Sequence, residues 1–588
     1  MCRSKGIENV EPQHRNYWLF PSWNFGSSLR HDWRKKPLAG GTSAWEAKIL
    51  IPTTVSTYDE LIANFAWDVP RKLNIGFDIC DRHATSNPDA IALIEDADGA
   101  VKRYTYSDLK RITDNLAHSF TELGVKRGDR VVVSLGQNVE AVFVHIACFK
   151  VGAISVPIAG LYAGEALAFR IYDCEASLIV TDRSGADKLH ALDKSSPRLV
   201  VIHDGAKSSE IDFDNLIAGN CGAFPMADTE SDDPAMIFYT SGSTGSPKGV
   251  LHGHRLVIGH LPCFQLGFEM APQDDDVFWT ASDWSWLGSL GDLVFPGLYS
   301  GKTVISTPGR FTPERAYRVM EEHKVTCPFL ATAVLRKMSK EPSPADARFC
   351  IRGIMTGGEA MPPEVFKWSQ QTFGVPVNDE FGLTEANQMS VGCETLYQTP
   401  AGSVGRIAPG KKVVILDPAG EILPVGERGE IAVWFDSPGN MLGYWNRPEQ
   451  SVKKLVGGWF RTGDEGRIND QGYLFYYGRL DDLILVNGLR VGPEEVEATL
   501  MTHPSVKEAA VVGLPDPSCG EAVVAALVLK DGIEGTDQLI DELKRRVKRD
   551  LAVHSYPKRM IFVDDIPVTT TGKIRRREVR MALLGAEK

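Results

Sequence analysis

Helical and strand periods of apolar residues begin to alternate clearly at Leu73. Gly76 to Ser86 predicts a helix, Ala90 to Glu95 a strand, and Thr105 to Leu123 an amphipathic helix opened by TYSDL. Arg130 to Leu135 (RVVVSL) and Ile154 to Pro157 are short, mostly apolar runs and read as buried strands. LIVTD (178–182), LVVIHD (199–204) and Ala235 to Thr240 continue the series. The expected fold class is α/β, a large body of doubly wound, mostly parallel sheets with helices on both faces. After Gly405 the texture becomes short strands and turns (KVVILDPAGE, GEIAVWF, GYLFYYGR), which predicts a β-rich subdomain over about 405–478. From Leu483 a small α+β unit follows, with VNGLRVGPEEVEATLMTHP as strand, turn and helix, a further helix at 535–551, and the loop TTTGK. The predicted organisation is an arm at 1–55 wrapped on the body, the body at 56–478, a joint at 479–482 (GRLDD includes Gly478) and a C-terminal domain at 483–588.

A chain of 588 residues exceeds one hydrophobic core, in keeping with several units. Apolar residues make up 43% and charged residues 24%, ordinary globular usage, and the net charge of -12 gives no basic footprint for nucleic acid. Small molecules are the expected partners. Ten cysteines without a CxxC pair suggest neither a zinc site nor a disulfide framework, and fit a reducing cytosol. Met1 to Trp18 lacks the apolar core of a secretory signal, so a cytoplasmic location is expected. The most apolar stretch, Val139 to Phe169, is broken by His145, Lys150, Pro157 and Glu165, and predicts a buried helix and strand rather than a membrane span.

One segment carries the chemistry most visibly. Tyr239 to Gly249, YTSGSTGSPKG, follows a buried strand and gathers glycines, hydroxyls and Lys248 in a form that can cradle phosphate oxygens; the alternative is a solvated Gly/Ser linker. A Walker A loop needs GxxxxGK[ST], whereas Lys248 lies between Pro247 and Gly249, and Thr571-Gly572-Lys573 is followed by Ile574, so a P-loop NTPase is excluded.

YTSGSTGSPKG resembles the phosphate loop of the adenylate-forming superfamily of acyl-CoA synthetases, luciferases and peptide-synthetase adenylation domains. Further motifs match in order: TGGEA (356–360), NDEFGLTE (378–385), GSVGR (402–406), WFRTGDEGRI (459–468), GYLFYYGRLDDLI (472–484), NGLRVGPEEVE (487–497) and PVTTTGK (567–573). The resemblance covers roughly residues 73–578 and is nearest to acetyl-CoA and medium-chain acyl-CoA synthetases. It implies attack of a carboxylate on the α-phosphate of ATP, giving an acyl-adenylate and pyrophosphate, then thioester formation with coenzyme A. No redox cofactor is implied. Because the nucleophile is already an anion, catalysis calls for cations and donors around the phosphate rather than a strong base.

By that resemblance Thr240, Ser241, Gly242, Ser243, Thr244, Gly245 and Lys248 hold phosphate, and Thr384 and Glu385 bind the α-phosphate and Mg²⁺. From its residues alone, Thr384-Glu385 also reads as a helix N-terminus, Thr capping and Glu favoured by the dipole. Gly358, Glu359 and Ala360 are implied on one side of the adenine, with Asp379, Glu380 and Phe381 on the other. Asp464 resembles the carboxylate that accepts the ribose hydroxyls, and Arg479 and Arg490 the nucleotide-facing arginines. Lys573 resembles the C-terminal lysine that bridges carboxylate and α-phosphate. Asp481 takes the hinge position, around which the small domain would rotate to bring the loop at Gly488 to the thiol tunnel. The resemblance also places Mg²⁺ near Met501, His503 and Val506, where HPSV reads equally as a plain loop. HGH (252–254) and DDD (274–276) read as loop histidines and a solvated acidic turn.

SDWSWLGS (282–289) resembles an acyl-pocket helix, with Trp286 and Gly288 toward the acid; a core tryptophan is the alternative. Gly382 stands where acetyl-CoA synthetases place a tryptophan that floors the pocket, so an acid larger than propionate, medium-chain, branched or aromatic, is expected. Arg170, Gly488 and Lys548 are candidate CoA contacts, against solvated charge as the alternative. An enzyme loading a carrier protein in trans, a luciferase-like oxidase, an acetyl- or propionyl-CoA synthetase, and a catalytically dead nucleotide-binding protein are the competing readings. Assembly of several copies is left open. Lys573 also resembles lysines switched off by acylation, which would make a lysine acyltransferase and a deacylase its partners.

Overall fold

The computed structural model describes residues 51–585 except 53, 193–197, 203–205, 208, 241–246, 345–346, 360, 487–488, 552–554 and 570–572. The expected arm therefore lies outside the described residues, apart from its last few. There Ile51 is fully buried and exchanges two backbone bonds with the Gln265 amide, at 3.0 and 3.1 Å.

Two large sheets form the body. In the first, the strand order is Gly443–Tyr444, Lys248–Gly253, Pro234–Thr240, Ile154–Pro157, Arg130–Ser134, Leu178–Thr181, Arg198–Val201 and Ile211–Asp212. Its central strands run parallel and, Arg130 apart, are buried, in keeping with their mostly apolar sequences. In the second, parallel strands Ile354–Thr356 and Val377–Leu383 lie beside each other, and the chain then turns back as the antiparallel strand Asn387–Val391. Thr105 and Asp108 close a reciprocal capping box at the helix Tyr106–Glu122, and Gly152, at φ 79°, ends the wholly buried helix Val139–Val151.

The β-rich region forms an antiparallel sheet around Gly429–Trp434, Trp459–Ile468 and Leu474–Arg479. Residues Ile484 to Leu583 build a hydrophobic core of their own around the long hairpin Val506–Asp516 and Gly520–Leu529. The helix expected at 535–551 spans Asp537–Asp550, with Thr536 capping it. No disulfide joins the described cysteines, and no described helix is long and apolar enough to cross a membrane.

Several local expectations need correction. Thr384 and Glu385 do not start a helix: they occupy the turn of the hairpin between Val377–Leu383 and Asn387–Val391. HGH is not a loop, because His252 lies in the strand Lys248–Gly253 and His252 and His254 are both buried. Of DDD, Asp276 is buried and held by Arg352 through two bonds of 2.8 and 2.6 Å, which burial of a carboxylate demands. In SDWSWLGS the helix begins only at Leu287, with Trp286 at its N-cap; Trp284, rather than Trp286, is the buried core tryptophan.

Candidate active site

The phosphate loop closes a β-hairpin. Thr240 pairs with Lys248 and Tyr239 with Gly249, so the stretch between them turns one antiparallel strand into the next and does not lead into a helix as a P-loop does. Ser241, Gly242, Ser243, Thr244 and Gly245 lie outside the described residues, as does Ala360.

Tyr444 joins this hairpin to the Thr384 turn. Its hydroxyl donates to Glu385 Oε1 at 2.7 Å, and Lys248 Nζ sits 5.0 Å from its ring centroid. The turn is pinned residue by residue: His252 Nε2 donates to the Thr384 carbonyl at 2.8 Å, Met441 N–H to the Glu385 carbonyl at 2.9 Å, and Lys411 Nζ to the Ala386 carbonyl at 2.7 Å. Burial pushes His252 down to about 3, so a neutral ring serves as donor, and burial lowers Lys411 to about 7. Lys411 and Tyr444 were not singled out from the sequence, and His252 was read only as a loop histidine; each lies far in the chain from Thr384, and the GYW at 443–445 is the one local signal for any of them.

Tyr444 engages Glu385 Oε1, and the Glu385 carboxylate and the Thr384 hydroxyl belong to the same hairpin turn. These hard oxygen donors suit Mg²⁺. The HPSV stretch fits less well. The His503 carbonyl accepts Val506 N–H at 3.0 Å and its Nδ1 accepts Ser505 N–H at 3.2 Å, the plain helix-to-strand turn that the sequence also allowed after Met501.

Gly358, Glu359, Asp379, Glu380 and Phe381 cluster at the carboxyl ends of the adjacent parallel strands Ile354–Thr356 and Val377–Leu383, where open α/β sheets place ligands. Arg336 bonds Glu359 Oε1 at 2.7 Å, Glu380 packs over Gly357, and Phe381 packs against Tyr476 with ring centroids 5.2 Å apart. Across the site, Asp464 lies opposite Arg479 on neighbouring strands. Burial is the largest influence on Glu359, Glu380, Asp464 and Glu494 and raises all four carboxyls, and Lys573 is among the cations that pull against it. Lys573, on the C-terminal unit, is thus within electrostatic reach of both walls. Arg428 to Glu495 at 3.1 Å and Lys340 to Glu508 at 3.0 Å tie body to C-terminal unit in this arrangement.

Other expected residues fare differently. Arg170 is buried under Tyr162, 3.8 Å from its ring centroid, and bonds the Ala166 carbonyl, so it offers no accessible charge to CoA. Lys548 is exposed on its helix over the Tyr556 ring. Gly488 and the Arg490 side chain lie outside the described residues. Asp481 follows Arg479 in a turn and meets its Nε at 3.2 Å. A side chain at Gly382 would strike the Asn387 carbonyl oxygen at 2.8 Å and Gln388 Cα at 2.9 Å, so the close approach of two backbones by itself favours glycine there.

The AMP-binding enzyme profile matches residues 80–445, and the AMP-binding enzyme C-terminal domain profile matches residues 495–573. The chain belongs to the AMP-binding enzyme family. It is 31% identical over 549 residues to an acetyl-coenzyme A synthetase of Bacillus subtilis (strain 168), covering 90% of this chain and 95% of that relative. A Brucella canis acyl-CoA synthetase structure superposes with a TM-score of 0.70 at 30% identity, over 91% of this chain and 100% of the other. An anthranilate CoA ligase, AuaEII, in complex with anthranoyl-AMP superposes with a TM-score of 0.81 at 25% identity, over 89% and 99%. This AMP-binding enzyme is accordingly of the AMP-forming acyl-CoA synthetase type, acid–thiol ligases that use ATP, Mg²⁺ and CoA.

Proposed function

We propose that the chain adenylates a carboxylic acid larger than propionate and transfers the acyl group to CoA. The observation that carries this reading is the Tyr444 link, which sets the phosphate-loop lysine and the Thr384–Glu385 turn around one space. In it, Lys248 and the Thr240 loop hold the departing pyrophosphate, Thr384 donates to the α-phosphate, and Glu385 holds the Mg²⁺. Bound there, Mg²⁺ neutralises phosphate charge. Glu359, Ala360, Asp379, Glu380 and Phe381 flank adenine, Asp464 accepts the ribose hydroxyls, and Arg479 and Arg490 supply fixed positive charge. Lys573 draws the two anions together.

The division at 479–482 is part of the proposal: rotation about Asp481 withdraws Lys573 and brings the Gly488 loop and Lys548 toward CoA. The separate core of the C-terminal unit, docked through exposed ion pairs such as Lys340–Glu508 and Arg428–Glu495, supports such a rotation. For the acid, the half-buried Trp286 and Gly288 at the start of a helix offer a wall, and the anthranilate CoA ligase likeness favours bulk. The second reading, an acetyl-CoA synthetase, rests on the Bacillus subtilis relative.

The test is carboxylate-dependent pyrophosphate release with and without CoA, across acetate, propionate, medium-chain, branched and aromatic acids. Release completed to acyl-CoA, with kcat/KM rising beyond propionate, is expected. A maximum at acetate would establish the second reading, and turnover only with a carrier protein would replace CoA as acceptor.

A further inference from the structure

A buried polar cluster adjoins the proposed acyl pocket and, apart from Glu380 beside the adenine, is used by none of the steps above. Asp292, in the helical run Leu287 to Tyr299, is 5% exposed, and its Oδ1 lies 2.7 Å from Nδ1 of His260, which is fully buried on the helix Leu256–Gly267. The other carboxylate oxygen, Oδ2, is the atom nearest to where a Cβ on Gly288 would stand, at 3.3 Å, with the Phe329 ring next at 3.9 Å. Asn387 and Gln388, each 2% exposed, bear on the same imidazole from the neighbouring hairpin. Among the described residues no well-aligned hydrogen bond is made by His260 Nε2, Gln388 Oε1, the polar side-chain atoms of Asn387 or Glu380 Oε2, although Gln388 and Asn387 face the imidazole within bonding reach. Burial raises the Asp292 and Glu380 carboxyls, and the Asp292 charge raises Glu380 further. So many poorly paired polar atoms in one buried place are what a donor-bearing ligand would satisfy.

We propose that this cluster, with Asp292 Oδ2 as its acceptor beside Gly288, is a specificity site for carboxylic acids whose far end carries a hydrogen-bond donor, a hydroxyl or an amine. This rests on the acyl-CoA synthetase reading and on Gly288 lining the acyl pocket. A hydrocarbon tail would leave the same atoms dehydrated and poorly paired, and sites built to bond a polar substrate group reject analogues that lack it.

The experiment compares kcat/KM of the wild-type enzyme on pairs of equal size in which a hydroxyl or an amine replaces a terminal methyl: 4-hydroxybutyrate and 4-aminobutyrate against pentanoate, 5-hydroxypentanoate and 5-aminopentanoate against hexanoate, and 4-hydroxybenzoate against 4-methylbenzoate. At least one pair is expected to favour the donor by tenfold or more, with Asp292→Leu reversing that preference. Asp292→Asn should keep a preference for hydroxyl and lose one for amine. A methyl preference in every wild-type pair, or a donor preference that Asp292→Leu leaves unchanged, would overturn the proposal. Because the wild-type ratios need no variant, a poorly folding mutant does not spare it. Should no acid at all promote pyrophosphate release, the broader reading fails; should methyl acids react well and donor acids poorly, only this one does.

Discussion

Asp464 and Arg479 face each other across one rung of an antiparallel ladder, Oδ1 to Nη1 at 3.2 Å, and the same guanidinium reaches the Thr462 carbonyl and Asp481. One arginine therefore connects the proposed ribose acceptor to the first turn of the proposed hinge. Burial pushes the Asp464 carboxyl up and Arg479 counters it, which keeps an acceptor in place for two hydroxyls. Asp464→Asn loses one charge-assisted bond to ribose, worth roughly 1.5–3 kcal/mol, so kcat/KM for ATP should fall about 10- to 150-fold. Steady-state rates at varied ATP measure this; an unchanged KM for ATP would remove Asp464 from the nucleotide site.

Lys573 lies within reach of Asp464, Glu359 and Glu380 while belonging to the C-terminal unit. Its proposed work is confined to the first half-reaction. Lys573→Ala should lower carboxylate-dependent pyrophosphate release by about 10²- to 10³-fold, the usual cost of losing one transition-state charge partner, while thioester formation from synthetic acyl-adenylate persists. Equal loss of both half-reactions would contradict the rotation.

What could be read from the sequence, and what could not, divides along a physical line. Arg130–Ser134 and Ile154–Pro157 were legible because a strand covered on both faces is mostly apolar, whatever its neighbours. Asp464, Lys248 and Lys573, whose roles are proposed above, could be singled out because they sit inside contiguous motifs. The Thr384 turn was not: Thr-Glu has helix-cap composition, and the hairpin is decided by His252, Lys411, Tyr444 and the left-handed Asn387, φ 57°, three of them far off in the chain. Arg170 looked like a free cation because its burial under Tyr162 depends on tertiary packing. Asp292 was invisible for the opposite reason: one acid in an apolar helical run carries no pattern.

Gly382 offers a direct test of packing against pocket design. Its missing Cβ would meet main-chain atoms of Asn387 and Gln388, which cannot swing aside as a side chain can. Gly382→Trp should destabilise the hairpin by about 1–3 kcal/mol and lower activity toward every acid together. Thermal unfolding and the acetate-to-hexanoate ratio of kcat/KM check it. A ratio that swings to acetate with an unchanged melting temperature would restore the floor reading.

His145 supplies a pH dependence whose direction follows from burial alone. It is fully buried in the helix Val139–Val151, its Nδ1 2.6 Å from Ser155 Oγ, and burial lowers its pKa from 6.5 to about 3. Above pH 6.5 the folded and unfolded states hold the same neutral ring. Between 6.5 and 3 the unfolded chain takes up a proton that the native chain refuses, so stability falls as pH falls, by about 1.4 kcal/mol per pH unit well inside that window. His145→Gln removes this term and adds a packing loss that does not vary with pH, while every other titrating group is common to both proteins. The variant should therefore be less stable at pH 7.5 by a fixed amount, and the gap should close by about 1.4 kcal/mol at pH 5.5 in urea denaturation. An equal gap at both values would mean that the native protein accommodates the imidazolium.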